Sequence, residues 1–208
     1  MNYVIRNATP QDLDQILQVE QNWPETARAP REKFIVRLQK FPDGFFVAEQ
    51  DEQLLATITA CPLHYDPAQP GKLKDWGAVT NQGFFHDIGP FTEYNSLYIV
   101  SGVIDSRHRG GDLFESMVAR EVRLARELGF AYVLAGAVLP GYARYCEKHG
   151  ALPAADYVFL RHGQHWVDPL LDLYARIGFT VPDRQHVIKD YFPDAASRDH
   201  AALVVCKL

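Results

Sequence analysis

The chain has little cysteine and no surplus of positive charge, and each shortage removes a class of protein. Three cysteines (Cys61, Cys146, Cys206) in 208 residues lie far apart, with no CxxC spacing and no clustered histidines. They indicate neither a disulfide framework nor a metal site, and are expected as buried thiols. A formal net charge of -5, from 21 Lys and Arg against 26 Asp and Glu, argues against a nucleic-acid or anionic-membrane surface. No stretch approaches the ~18 uninterrupted apolar residues of a membrane span. The opening MNYVIRNATPQDL has no signal-peptide core, so a cytoplasmic location is expected. Internal repeats, low-complexity tracts and an evident linker are lacking too. What is present is 47% hydrophobic and 12% aromatic content, enough for a substantial core, and a small-molecule substrate is the expected partner.

The pattern along the chain mixes both element types. YVIRNAT alternates as a strand, and Thr9, Pro10 and Asp12 open a helix as N-cap, first helical residue and first-turn acid. REKFIVRLQKF predicts a second helix closed by Pro42, Asp43 and Gly44, and GFFVAEQDEQLLATITACPL predicts a hairpin turning at EQDEQ. Residues 64–95 are rich in Gly, Pro, Asp and aromatics, which predicts a long irregular connection that is functional or mobile. NSLYIVSGVIDS, DLFESMVAREVRLAREL and FAYVLAGAVL then read as strand, helix and strand, a crossover with parallel strands. GYARYCEKHG reads as a short helix, DYVFLRH as a strand and DPLLDLYARIG as a helix capped by Asp168. HVIKDYF and AALVVCKL are two final strands.

Two segments carry chemistry. RHRGGDLFESM lies where a strand ends and a helix begins, so its amide hydrogens face outward at the positive end of a helix dipole. Gly110 and Gly111 allow close approach of a ligand, and Arg107, His108 and Arg109 add positive charge, a combination suited to a diphosphate. A tight turn with solvated arginines accounts for the same residues equally well. The second segment is LYARIGF, in which Leu170, Leu173, Tyr174 and Ile177 form one stripe and Gly178 ends the helix.

With these two segments and this element order, the chain resembles the GNAT superfamily of acyl-CoA-dependent N-acyltransferases over nearly its whole length. TNQGFF, VLAGAVLPGY, VDPLLDLYARIGF and KDYFPDAASRDHAALVV resemble, more narrowly, the acyltransferase-like half of proteins that join a GNAT domain to a nitrilase-type carbon-nitrogen hydrolase. The resemblance implies an α/β (α+β) fold, a mixed central sheet with helices on both faces, splayed between the fourth and fifth strands. It implies one domain over 1–208 with an insertion at 139–167. The family's pyrophosphate loop, R/Q-x-x-G-x-G/A, fits from Arg107 or from Arg109, and the distance to the helix-ending Gly129 favours Arg109. Asp112 and Phe114 then occupy the two small positions. A carboxylate beside a diphosphate costs roughly 1 to 3 kcal/mol, unless Asp112 turns away to cap the helix.

The implied reaction is attack of an amine on the thioester of acetyl-CoA or another acyl-CoA. The resemblance places the cofactor against Val103, Ile104, Arg109, Gly110, Gly111, Asp112, Leu113 and Phe114, with a backbone amide near Val103 or Ile104 holding the oxyanion. Tyr174 is the implied acid at the departing sulfur. Glu93, Tyr98 and His86 are base candidates by position only, with Glu93 taken as the catalytic one and Asn81, Tyr98 and Ser101 as substrate contacts. Trp76, Phe84, Phe85, Phe91 and Tyr94 of the long loop pack an acceptor or anchor the loop. The expected partners are a small-molecule amine and a second copy in a homodimer, without metal, nucleic acid or membrane. Two alternatives stand beside this reading, a non-catalytic binding module and an acyltransferase fed by an acyl carrier protein.

Overall fold

A computed structural model describes residues 3–108 and 111–208. In chain order the elements are β1 (Val4–Asn7), α1 (Leu13–Glu20), α2 (Arg31–Lys40), β2 (Phe45–Gln50), β3 (Gln53–Leu63), α3 (Trp76–Thr80), β4 (Ser96–Ile104) and α4 (Leu113–Glu127). They continue with β5 (Tyr132–Val138), α5 (Tyr142–His149), α6 (Ala154–Tyr157), β6 (Arg161–His162), β7 (His165–Trp166), α7 (Pro169–Arg176), β8 (Val187–Ile188) and β9 (Ala201–Lys207). The class is mixed α/β. The chain divides into two compact units, Met1–His64 with Thr80–Val133 and Leu208, and Tyr65–Val79 with Leu134–Lys207.

In the first unit β1 to β4 form an antiparallel run in chain order. The EQDEQ turn is made by Asp51 and Glu52, both with positive φ, the two-residue geometry whose twist matches the strands it joins. Residues of alternate parity on β2 face opposite sides. Phe45 and Val47 join Ile16, Val19, Phe34 and Val103 in a core under α1 and α2, whereas Phe46 lies under Arg120 of α4, 4.4 Å from the guanidinium carbon to the ring centre. Helices therefore cover both faces of this sheet. The amides of Ala131 and Tyr132 donate to the Asn95 carbonyl at 2.8 and 3.2 Å, so β5 enters beside the entry of β4, as a crossover requires. Gly129, at φ +73°, ends α4 in a conformation that favours glycine.

In the second unit β8 and β9 pair antiparallel. Three sequence expectations need correction here. DYVFLRH was read as a strand, but its start is the short helix α6 followed by only two extended residues, Arg161–His162. Pro153 supplies the pre-set φ of a helix start and the Tyr157 amide closes on the Pro153 carbonyl at 3.0 Å, which overrides the β propensity of Tyr, Val and Phe. HVIKDYF keeps only Val187–Ile188 as strand. The connection 64–95, read as irregular, contains α3, initiated where Asp75 Oδ1 accepts from the Ala78 amide at 2.8 Å.

Candidate functional site

β4 carries the first part of the site. Its pairing with β3 slips between Thr59 and Ala60: Ser101 faces Thr59 and Ile99 faces Ala60, leaving Val100 as the extra residue of a bulge. The bulge turns Tyr98 and Ser101, three residues apart, onto one face, because their partners Cys61 and Thr59 are two apart on β3. Two of the residues expected to touch substrate are thus brought together. Val103 and Ile104 lie further along, paired with Thr57 and Ala56.

Sequence reasoning missed the side chain that organises this face. Arg37 of α2 is fully buried, at 1% exposure. Its Nε donates to the Gly83 carbonyl at 2.8 Å and its Nη1 to Thr59 Oγ1 at 3.3 Å, and the guanidinium lies against the rings of Phe34 and Phe85. Burial pushes its pKa down to about 10, and burial also lifts the Glu20 carboxyl to about 7, against the amide of Ala29 and the pull of Arg37. Nothing but a helical period marked Arg37 in the sequence, where it reads as one more surface cation.

Arg37 holds the loop TNQGFF. Asn81, Gln82, Gly83 and Phe85 all take positive φ, a run that persists only where surrounding bonds over-determine it. Those bonds are Arg37 and Lys40 to the carbonyls of Gly83 and Phe85, and Thr80 Oγ1 accepting from the Gly83 amide. Asn81 itself spends its side-chain amide on the Phe85 carbonyl at 3.1 Å, which is turn chemistry. Glu93 and His86 are exposed on the same connection, and Tyr98 is buried.

The second part is the mouth of α4. Arg109 and Gly110 lie outside the described residues. Gly111 and Asp112 are exposed, Leu113 is buried and Phe114 half-buried; the Phe114 ring covers β4 at Gly102, where an added β-carbon would stand 3.3 Å from it. Asp112 occupies the N-cap position but its carboxylate makes no cap bond. That corrects the expectation that it turns away to cap the helix. The carboxylate lies 3.3 Å from the Tyr3 hydroxyl, which is 2.8 Å from Ser116 Oγ. Arg107 is committed to Asp105 at 2.7 Å and holds that carboxyl down at about 2.

The second unit holds the tyrosine helix. Asp168 caps α7 through Oδ1, which accepts from the amides of Leu170 and Leu171 at 3.0 and 3.3 Å, while Oδ2 accepts from the Gly141 amide and the Tyr157 hydroxyl, each at 3.1 Å. Tyr174 is buried with its ring edge-on to Phe179. Burial, and then Tyr191, push its hydroxyl well above the usual phenol range. Tyr191, which no sequence signal singled out, lies with its hydroxyl against the backbone of β5 at Gly136.

No group of three or more His, Cys, Asp or Glu among the described residues could hold a metal ion, and no helix among them is long and apolar enough to cross a membrane.

No family model matches the chain. A curated relative, the probable hydrolase YhcX of Bacillus subtilis (strain 168), is 25% identical over 203 residues, covering 97% of this chain. The chain spans 38% of that relative's length. Among solved structures, the loading GNATL domain of CurA from Lyngbya majuscula superposes with a TM-score of 0.81 at 18% identity, covering 100% of this chain and 98% of the other. The GphF GNAT-like decarboxylase in complex with isobutyryl-CoA gives 0.78 at 24% identity, with 98% of each chain covered. Ard1 from Thermoplasma volcanium gives 0.63 at 13% identity, covering 100% and 99%. The fold is that of the GNAT superfamily.

Proposed function

We propose that the protein is an acyl-CoA-dependent N-acyltransferase, most simply an acetyltransferase acting on a small amine, with residues 1–208 as one catalytic domain and 139–167 as an insertion. The observation that carries this reading is the mouth of α4: a helix start at the end of β4, on a GNAT fold, whose N-cap carboxylate makes no cap bond. The N-terminal end of a helix is the positive end of its dipole, and an anion suits it. Gly111, Asp112, Leu113 and Phe114, with Arg109 and Gly110, would border the diphosphate, and the β4 backbone around Val103 and Ile104 the acyl carbonyl. Tyr98 and Ser101, on one face, border the amine, with Asn81 on the loop that Arg37 fixes and Glu93 as the proposed base. For the acid at the departing sulfur, the LYARIGF motif nominates Tyr174. CoA and isobutyryl-CoA occupy related folds, which supports a coenzyme A thioester as donor.

A second reading has a specific observation in its favour. Arg37 is a buried guanidinium on the Tyr98–Ser101 face, and Glu20, a carboxyl that attracts it, is held up near neutrality. Such a cation suits a carboxylated acyl group better than an incoming ammonium. Loss of carbon dioxide from a carboxylated thioester needs an oxyanion site and an acid, with no base, and GphF is described as a GNAT-like decarboxylase. An acyl carrier protein remains the alternative donor, because its arm brings no adenosine diphosphate to Asp112.

The test is thiol release and product mass with acetyl-CoA and malonyl-CoA, each with and without ethanolamine, spermidine and lysine. Amine-dependent thiol release supports acyl transfer. Conversion of malonyl-CoA to acetyl-CoA without thiol release supports decarboxylation, and inertness of both donors removes both readings.

A further inference from the structure

Resting on the acyl-transfer reading, we infer that Phe114 is a specificity-determining residue, whose ring closes the acyl site behind a short chain and so selects acetyl-sized donors over longer ones. The inference starts from which parts of β4 are covered. Ser96 to Val100 and Val103 are buried, whereas Ser101, Gly102 and Ile104 keep accessible surface. The open residues all lie in the half of the strand that leads to the mouth of α4, where the acyl carbonyl is proposed to sit.

Gly102 and Ile104 share a face of β4, because side chains alternate along a strand. It is the face that α4 covers. Gly102 pairs with Ile58 and Ile58 with Phe46, Phe46 lies under the Arg120 guanidinium of α4, and directly paired residues stand on one side of a sheet. The Phe114 ring lies on this face, against the strand. A β-carbon added at Gly102 would stand 3.3 Å from Phe114 Cε2 and 3.6 Å from Ile58 Cγ1. The ring and Ile58 thus border Gly102 together, and a larger group there has to push them apart. Phe114 also differs from its neighbours on α4. Leu113, Met117 and Val118 are at most 2% exposed, while Phe114 is half-buried, so its side chain shapes the edge of the layer between helix and sheet rather than its centre.

A donor held by its diphosphate at the first turn of α4 reaches β4 from the Ile104 end. With its carbonyl at Val103 or Ile104, the acyl chain beyond runs on toward Gly102, about 7 Å past Ile104, and meets the ring there. An acetyl group ends short of it. A longer chain has to displace Phe114 and Ile58, and forcing packed side chains out of place costs free energy. The amide of Phe114 belongs to the mouth and its ring to the acyl chain, so one residue reads two parts of the donor.

The experiment is calorimetric titration of the full chain, unsubstituted and as Phe114→Leu and Phe114→Ala, with coenzyme A, acetyl-CoA and hexanoyl-CoA. It needs no acceptor amine, and each thioester is read against free coenzyme A on the same variant, which removes any change at the mouth from the comparison. The unsubstituted protein is expected to bind hexanoyl-CoA at least about tenfold more weakly than acetyl-CoA. Phe114→Ala is expected to move the ratio of the two by about tenfold or more in favour of hexanoyl-CoA, with Phe114→Leu between. If Phe114→Ala fails to fold, Phe114→Leu decides alone. Equal affinity of the unsubstituted protein for both thioesters, or a ratio that the substitutions leave unmoved, overturns the assignment while leaving acyl transfer standing. No binding of any of the three ligands by the unsubstituted protein removes the coenzyme A reading and this assignment with it.

Discussion

Asp112 and Asp168 stand at the same place on two helices and do different things. Asp168 is 1% exposed and gives its carboxylate to four donors, closing the start of α7. Asp112 is exposed and its carboxylate makes no cap bond to α4. The same residue type closes one helix mouth with its side chain and leaves the other without a side-chain cap, so one end is a structural joint and the other the proposed anion site. What separates them is the neighbouring chain. Gly141 and the Tyr157 hydroxyl converge on Asp168, whereas the residues before Asp112 are two glycines.

Removing the joint should have the largest effect. Asp168→Ala leaves the Gly141 amide and Tyr157 hydroxyl buried without an acceptor and uncaps α7, and is expected to cost about 3 kcal/mol, read as a drop in the urea midpoint at unchanged slope. An unchanged midpoint would mean that the joint is replaceable by water. A carboxyl with no donors shows the opposite case. Glu121 is fully buried and neither oxygen has a hydrogen-bond partner among the described residues, so burial drives its pKa well up. Glu121→Leu is expected to stabilise by about 2 kcal/mol at pH 8, and a loss of stability there would show that the carboxyl has a use.

Glu20 gives the comparison a pH axis. Its folded pKa, about 7 against 4.5, means that the folded state binds the extra proton between those values. Its contribution to stability is therefore complete below pH 4.5 and falls as the pH rises to 7, by about 3 kcal/mol. Glu20→Gln should flatten that decline in urea titrations at pH 5, 6 and 7; an unaltered slope would place the titration elsewhere. The smallest expected effect belongs to the open mouth. Asp112→Asn should change stability by less than about 0.5 kcal/mol, since no cap bond is lost, while tightening coenzyme A about fivefold. A destabilisation of the size expected for Asp168→Ala would erase the distinction between the two.

Much of this was legible beforehand, for identifiable reasons. Asp168, Pro169 and Gly178 mark both ends of α7 within eleven residues, and polar EQDEQ between two apolar runs marks the hairpin. Those are local rules, and the structure obeys them. α6 was illegible because a proline before Ala-Ala-Asp competes with a β-prone Tyr-Val-Phe, and the winner depends on neighbours. The bulge at Val100 leaves no mark in an unbroken apolar strand, yet it decides that Tyr98 and Ser101 share a face. Arg37 and Tyr191 were invisible for the same reason: an arginine in an amphipathic helix and a tyrosine before Phe-Pro acquire meaning only from Gly83, Thr59 and Gly136, which lie far away in sequence.

The central claim is that the mouth of α4 takes a diphosphate, and calorimetric titration with coenzyme A and acetyl-CoA at two salt concentrations tests it most directly. The account predicts micromolar binding that weakens as salt rises and tightens in Asp112→Asn. Absence of binding by both the unsubstituted protein and that variant would contradict it, and would leave a carrier-protein donor or a binding role in its place.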